Sequence, residues 1–165
     1  GTFVKEHSIE QNFLLSNASL ETINDIVALL ELRISLESEA VFLASERRKQ
    51  VHINKMKVAL DDFEKHISSD VNDGTVKADY DFHIAIAEAS ENQYFVDFLK
   101  YLGEKIIPRA RVKSIEHSPV NREDYLKTVH HDHVNIFNAI VDQDGLLARQ
   151  MMRAHLSKSI KKFKQ

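Results

Sequence analysis

The chain has 165 residues, a net charge of -3 and no cysteine, and its 43% hydrophobic and 28% charged content is that of a globular domain. The lack of cysteine excludes thiolate metal ligands, disulfides and cysteine catalysis, and the mild acidity does not favour a nucleic-acid surface on this chain. No run of the sequence is apolar enough to cross a membrane and none has a signal-peptide pattern, so we expect a cytoplasmic protein without membrane contact.

The first half of the chain predicts a linker followed by two helices. Residues 1–18 show no sustained helical period and are expected to form the linker. Apolar residues then recur at helical spacing over about 20–50, from Ile23 onward, which predicts a long first helix. A second helix is expected over about 51–67, with Val58 among its inward residues.

The second half of the chain predicts four further helices. A polar segment with Asn72, Asp73 and Gly74 indicates a loop before them, and the pair Glu91 and Asn92 marks a later break. The helices are expected at about 75–89, 93–106, 121–142 and 146–163. Only four glycines and two prolines occur, which disfavours an all-β fold. We therefore predict an all-α fold, an antiparallel bundle of six to seven helices in one domain over 19–165, with neighbouring helices packed together.

Four residues have the character of a metal site inside this bundle. Asp79 and His83 are four residues apart on one predicted helix, so both side chains can reach one ion. His133 and His155 lie on the last two helices, each 11 residues from Asp144 in the intervening turn. At a rise of about 1.5 Å per residue, both lie about 16 Å from the turn and therefore at one level.

This set of three imidazoles and one carboxylate suits a divalent transition metal, with zinc favoured and nickel, iron or manganese as alternatives. His130 shares a helical face with His133 and is a candidate to orient a ligand, whereas His131 is expected to face solvent. The pair His131 and Asp132 also resembles the dyad of HD-type metallohydrolases, which is the alternative function. A purely structural dimerisation domain with a vestigial site is a third possibility.

Four sequence motifs carry a resemblance to a known family. They are ELRISLESEAVFLASER in the first helix, DYDFHIAIAEASEN in the third, HVNIFNAI in the fifth and ARQMMRAHL in the sixth. Their order and spacing over about 20–158 resemble the FCD effector domain, the ligand-binding domain of the FadR subfamily of GntR-type bacterial transcription regulators. Glu91 stands where this family often has glycine.

The resemblance implies a metal held by Asp79, His83, His133 and His155, and a small carboxylate effector such as a hydroxy acid or sugar acid that completes its coordination. It assigns ligand binding to Arg33, whose planar fork suits a carboxylate, and to Asn92, for which a helix cap is the simpler interpretation. A surface ion pair with Glu37 or Glu31 is the alternative for Arg33.

The resemblance also implies a homodimeric regulator, not an enzyme. Gly1 to Val4 resemble the end of the wing in a winged helix-turn-helix, so residues 1–18 are expected to link this domain to a preceding DNA-binding domain. Effector binding is expected to change the geometry of the dimer and thereby control DNA binding. Arg109 and Arg111 are further candidates to reach an acidic group of the effector.

Overall fold

The computed structural model describes residues 23–69, 73–107 and 122–164, and these segments are almost entirely helical. They form six α-helices and one 3₁₀ helix: α1 (Ile23–Arg47), α2 (Gln50–His66), α3 (Asp73–Ala89), α4 (Gln93–Leu102), the 3₁₀ helix (Gly103–Ile106), α5 (Arg122–Val141) and α6 (Gly145–Lys164). The all-α prediction is confirmed. The predicted linker 1–18, Arg109 and Arg111 lie outside the described residues. None of the described helices is long and apolar enough to cross a membrane.

The helices end close to where the sequence predicts, with two informative differences. The predicted fourth helix is α-helical only to Leu102, because Gly103 adopts a positive φ of 64° and the chain tightens into the 3₁₀ helix. Val58 and Ile23 were expected inside but are 59% and 53% exposed. Apolar character alone is therefore not enough to predict which residues at the margin of a helix's apolar face are buried.

Packing does not follow chain order at the start of the bundle. α1 packs most extensively along α6, α2 packs along α3, and α5 packs along α6. The expectation that neighbouring helices pack together is therefore wrong for α1 and α2, whose main partners are α6 and α3. Arg48 stabilises this corner by donating to the carbonyls of Ile140 and Val141, at 3.0 and 2.6 Å.

The centre of the bundle lies where separate hydrophobic clusters meet. Phe82 belongs to the largest cluster and Phe63 to a smaller one around α2 and α5. Both rings contact His133, with centroid distances of 4.7 and 5.7 Å. Apolar packing thus fixes the position of a fully buried imidazole between α2, α3 and α5.

Candidate metal centre

Three helices bring the four predicted metal ligands together. Asp79 and His83 project from one face of α3, His133 from α5 and His155 from α6, and all four are buried. Ring nitrogens of the three histidines all lie within 4.8 Å of one another. The predicted proximity of His133 and His155 is confirmed, since their Nε2 atoms are 3.2 Å apart.

Asp79 completes a compact group of potential ligand atoms. Its Oδ1 lies 3.3 Å from Nε2 of His83 and 3.5 Å from Nε2 of His133. Ligand atoms about 2.0–2.1 Å from a common ion in a tetrahedral arrangement lie roughly 3.3–3.4 Å apart. Three separations within this group, 3.2, 3.3 and 3.5 Å, are close to that value and are therefore compatible with a divalent transition metal.

A buried ion pair orients His83 from behind. Nδ1 of His83 lies 2.6 Å from Oε1 of Glu37, whose other oxygen accepts from Arg33 Nε at 2.6 Å. A carboxylate only accepts, so Nδ1 carries the hydrogen and Nε2 of the neutral ring keeps its lone pair toward the centre. Arg33 also donates through Nη1 to the Ile106 carbonyl at 2.7 Å, which ties α1 to the 3₁₀ helix.

A second carboxylate orients His155 from the outer side. Nδ1 of His155 lies 3.3 Å from Oδ2 of Asp132 on α5. Asp132 is in turn paired with Lys158, whose Nζ lies 2.8 and 3.0 Å from its two oxygens. Two of the three imidazoles thus have a carboxylate behind them, the arrangement that usually supports ligating histidines.

The electrostatics of the two histidine pairs differ. Burial raises the pKa of Glu37, but the charges of Arg33 and His83 outweigh it and lower that pKa to about 2. Burial lowers the pKa of His83, but the charge of Glu37 and hydrogen bonds to Asp79 and Glu37 leave it raised. The negative field that favours a proton at His83 also favours a metal cation there.

His155 lies in a field that favours the neutral ring. Burial lowers the pKa of His155 and the nearby His83 adds to that effect, and the hydrogen bond that His155 donates to Asp132 does not outweigh them. Burial raises the pKa of Asp132, but its hydrogen bonds with His155 and Lys158 outweigh it and lower that pKa to about 2. Asp132 therefore remains an acceptor and His155 remains a neutral potential ligand at physiological pH.

The two predicted effector contacts are placed differently. Arg33 is buried, so the surface-pair alternative is wrong about exposure although right about Glu37 as partner. Its Nη2 is buried and makes no hydrogen bond within the described part of the chain. The side chain of Asn92 caps α4 by accepting from the Tyr94 amide at 3.1 Å, and its role in ligand binding stays a prediction.

The remaining histidines of the α5 cluster point away from the centre. His130 lies 3.2 Å from the Leu60 carbonyl and stacks on Phe63, so the expectation that it orients a metal ligand is not met. His131 is exposed beside Asn135, as predicted. Because His131 faces solvent while Asp132 holds His155, the two do not form the shared ligand pair that an HD-type hydrolase needs.

Sequence reasoning missed Glu37 and Asp132 as supports of the centre. Glu37 was considered only as a salt-bridge partner and Asp132 only as half of a dyad. A signal existed for Asp132, which is adjacent to His133 and therefore lies at the same level of the α5–α6 hairpin as His155. Pairing of Glu37 with His83, 46 residues apart on different helices, had no such local signal.

Comparison with known proteins agrees with the fold and motifs. The family model described as FCD domain matches residues 28–158. This match covers most of the chain, which therefore belongs to the FCD domain family.

The curated relatives are bacterial regulators. The chain is 29% identical over 160 residues to the HTH-type transcriptional regulator LutR of Bacillus subtilis (strain 168), which covers 95% of this chain and 71% of that protein. It is 28% identical over 156 residues to the Uxu operon transcriptional regulator of Escherichia coli (strain K12), covering 94% and 60%.

Solved structures show the same fold at low sequence identity. E. coli McbR/YncC superposes with a TM-score of 0.73 at 15% identity, covering 88% of this chain and 66% of that one. Streptococcus agalactiae GntR superposes with a TM-score of 0.67 at 18% identity, covering 92% and 63%. The chain thus spans about two thirds of the length of the proteins it resembles.

Proposed function

We propose that this chain is the metal-dependent, ligand-sensing domain of a DNA-binding transcription regulator and that its ligand is a small organic acid. The observation that carries the proposal is the convergence of three buried imidazoles, whose ring nitrogens lie within 4.8 Å of one another, with an Asp79 oxygen 3.3 and 3.5 Å from the Nε2 atoms of His83 and His133. Membership of the FCD family and relatives named as transcriptional regulators support the regulatory role. Zinc is the favoured metal, with nickel, iron or manganese as alternatives.

The charge balance of the centre supports an acid as the ligand. Asp79, Glu37 and Asp132 contribute three negative charges, and Arg33 and Lys158 contribute two positive ones. With neutral imidazoles the group is therefore one unit negative, and a divalent ion makes it one unit positive. A carboxylate that binds the ion would neutralise this remaining charge in a buried site.

Arg33 is the organic partner that we assign to the acid. Its Nε and Nη1 donate to Glu37 and to the Ile106 carbonyl, whereas its buried Nη2 makes no hydrogen bond within the described residues, so we assign Nη2 to the ligand. A bound ion would attract the acid by its charge. Glu37 on α1 would orient both the His83 ring and the Arg33 guanidinium.

Effector binding would act on a homodimer and on DNA through a domain that precedes this one. A ligand shifts such an equilibrium only by its difference in affinity between two states. The bonds from Arg33 to Ile106 and Glu37 connect the centre to two other elements, the 3₁₀ helix and α1, whose arrangement could differ between those states. In a bacterium such a regulator would act in the cytoplasm.

A thermal-stability titration tests the proposal. After chelation, Zn²⁺, Ni²⁺, Fe²⁺ and Mn²⁺ are added singly, and at least one is expected to raise the melting temperature of the wild type. Candidate hydroxy acids and sugar acids should raise it further only when metal is present. His133→Ala should abolish both shifts, whereas His131→Ala, an exposed residue on the same helix, should retain both. No shift with any metal would refute the proposal.

A further inference from the structure

We propose that metal ions enter and leave the centre along the crevice between α5 and α6, with His155 as the ligand that detaches and Asp132 as the positioning residue that returns it. This inference rests on the proposed function, because it presupposes that the four residues bind an ion. It adds a route and an order of events, and it assigns different tasks to the two carboxylates behind the histidines.

A crevice reaches His155 from the surface. It has a volume of about 40 Å³ and is lined by Tyr125, Thr128, Val129, Asp132, His155, Lys158, Ser159 and Lys162. A single water needs roughly 10–15 Å³, so there is room for at least one beside the imidazole. His155 is 8% exposed, whereas His83 is 1% exposed and His133 is fully buried. Water can therefore replace His155 on the ion more readily than either other imidazole.

The two carboxylate–histidine pairs differ in how firmly they hold. The His83–Glu37 contact is 2.6 Å, and the side chain of Glu37 is only 3% exposed beside the equally buried Arg33. The His155–Asp132 contact is 3.3 Å, and the side chain of Asp132 is 14% exposed. A short buried contact resists opening, while a long contact at the surface opens at lower free energy.

Lys158 makes the outer pair easier to exchange. Its ammonium bonds both oxygens of Asp132 and is itself 57% exposed. When His155 rotates away from the ion, Asp132 keeps a partner and is not left as an unpaired charge. Glu37 has no comparable freedom, because movement would separate it from Arg33 inside the bundle. The outer pair is thus suited to open and reclose, and the inner pair to stay fixed.

Metal-release kinetics test the assignment of Asp132. Protein loaded with Zn²⁺ is mixed with excess chelator, and the dissociation rate is measured for the wild type, Asp132→Asn, Glu37→Gln and the control Asp61→Asn, an exposed carboxylate on α2. Loss of such a support typically weakens metal affinity by about 10–100-fold. For Asp132→Asn we expect Zn²⁺ to dissociate at least tenfold faster than from the wild type. The melting temperature of the metal-free Asp132→Asn protein should equal that of the metal-free Asp61→Asn control. Glu37→Gln differs from Asp132→Asn because it should also lower the melting temperature of the metal-free protein, since Arg33 loses its carboxylate partner.

A variant that narrows the crevice tests the route itself. Ser159→Leu places a larger side chain in the crevice wall and replaces none of the predicted ligands. We expect association and dissociation to slow by the same factor, several-fold, so that the dissociation constant is unchanged. A route elsewhere would leave both rates at the wild-type values.

The outcomes separate this inference from the proposed function. A wild type that binds none of the four metals refutes both. A wild type that binds Zn²⁺, with Asp132→Asn releasing it within twofold of the Asp61→Asn rate, refutes the inference alone. The same conclusion follows if Ser159→Leu changes neither rate.

Discussion

Two walls of the candidate centre bury polar groups in different ways. On α1, Arg33 and Glu37 neutralise each other at 2.6 Å, so this wall is electrostatically complete without an ion. On the α5–α6 hairpin, His133 and His155 place two Nε2 atoms 3.2 Å apart, an arrangement that a shared cation stabilises. From this comparison we expect the α1 wall to contribute mainly to the stability of the fold and the hairpin wall to contribute mainly to the proposed metal binding.

The largest effect should come from breaking the α1 wall. Arg33→Met leaves the buried charge of Glu37 without its guanidinium and with the His83 ring as its remaining partner, and loss of one member of a buried pair typically destabilises a protein by about 3–5 kcal/mol. We expect that decrease in the free energy of unfolding for chelated protein, measured by urea denaturation. Lys57→Met, which breaks an exposed pair with Asp61, should change it by less than about 1 kcal/mol.

A pair of variants would sharpen this result. Arg33→Met combined with Glu37→Leu removes both charges, so the double variant should be more stable than Arg33→Met alone. If Arg33→Met instead loses less than about 1 kcal/mol, α1 does not have the structural role assigned here.

The hairpin wall should show the opposite dependence on metal. At a free metal concentration 100 times the dissociation constant, binding stabilises a protein by about 2.7 kcal/mol. His155→Ala should lose that increment of stability. Its metal-free form should remain folded, because the ring of His155 is not paired with a buried charge on α6. Urea denaturation with and without Zn²⁺ measures the increment. His131→Ala is the matched control, and an equal loss there would contradict the assignment.

The helices, and the equal distance of His133 and His155 from the α5–α6 turn, could be predicted from the sequence because both depend on regular residue spacing. Asp79 and His83 share a face at i, i+4, and His133 and His155 are equidistant from one turn. These local rules, together with the family motifs, bring four side chains to one place. The structure agrees with that proximity to within hydrogen-bonding distances.

The supports of the centre depend on packing that spacing does not encode. The contact between Glu37 and His83 arises because α1 packs beside α3. Sequence reasoning assumed that consecutive helices pack together and so placed α1 against α2. The sequence favoured a ligand-binding role for Arg33 and kept a surface ion pair as the alternative, because a charged residue on a helix is usually exposed.

Asn92 tests whether a residue outside both walls belongs to the site. Loss of a helix cap typically destabilises a protein by about 1 kcal/mol, so Asn92→Ala should lower the free energy of unfolding by that amount through α4. The metal-dependent increment should stay at the wild-type value. If Asn92→Ala also reduces the extra thermal shift produced by an acid at saturating metal, Asn92 contacts the effector in addition to capping.

The smallest effects concern two turns that each hold a residue in the left-handed conformation. Glu91, between α3 and α4, and Gln143, between α5 and α6, have positive φ values of 56° and 57°. A left-handed conformation costs an L-residue about 1–2 kcal/mol, and glycine avoids this but adds about 0.4–1 kcal/mol of unfolded-state entropy. Gln143→Gly should therefore raise the free energy of unfolding by about 0.5 kcal/mol.

Glu91→Gly should gain less than Gln143→Gly, because Glu91 also forms a partly exposed ion pair with Lys49 at 2.7 Å. Urea denaturation in high salt screens that pair and should bring the two gains together. Such a result would show that the ion pair to the α1–α2 corner offsets part of the backbone strain at Glu91. Equal gains at low salt would mean that the pair contributes nothing and that the strain at Glu91 is uncompensated.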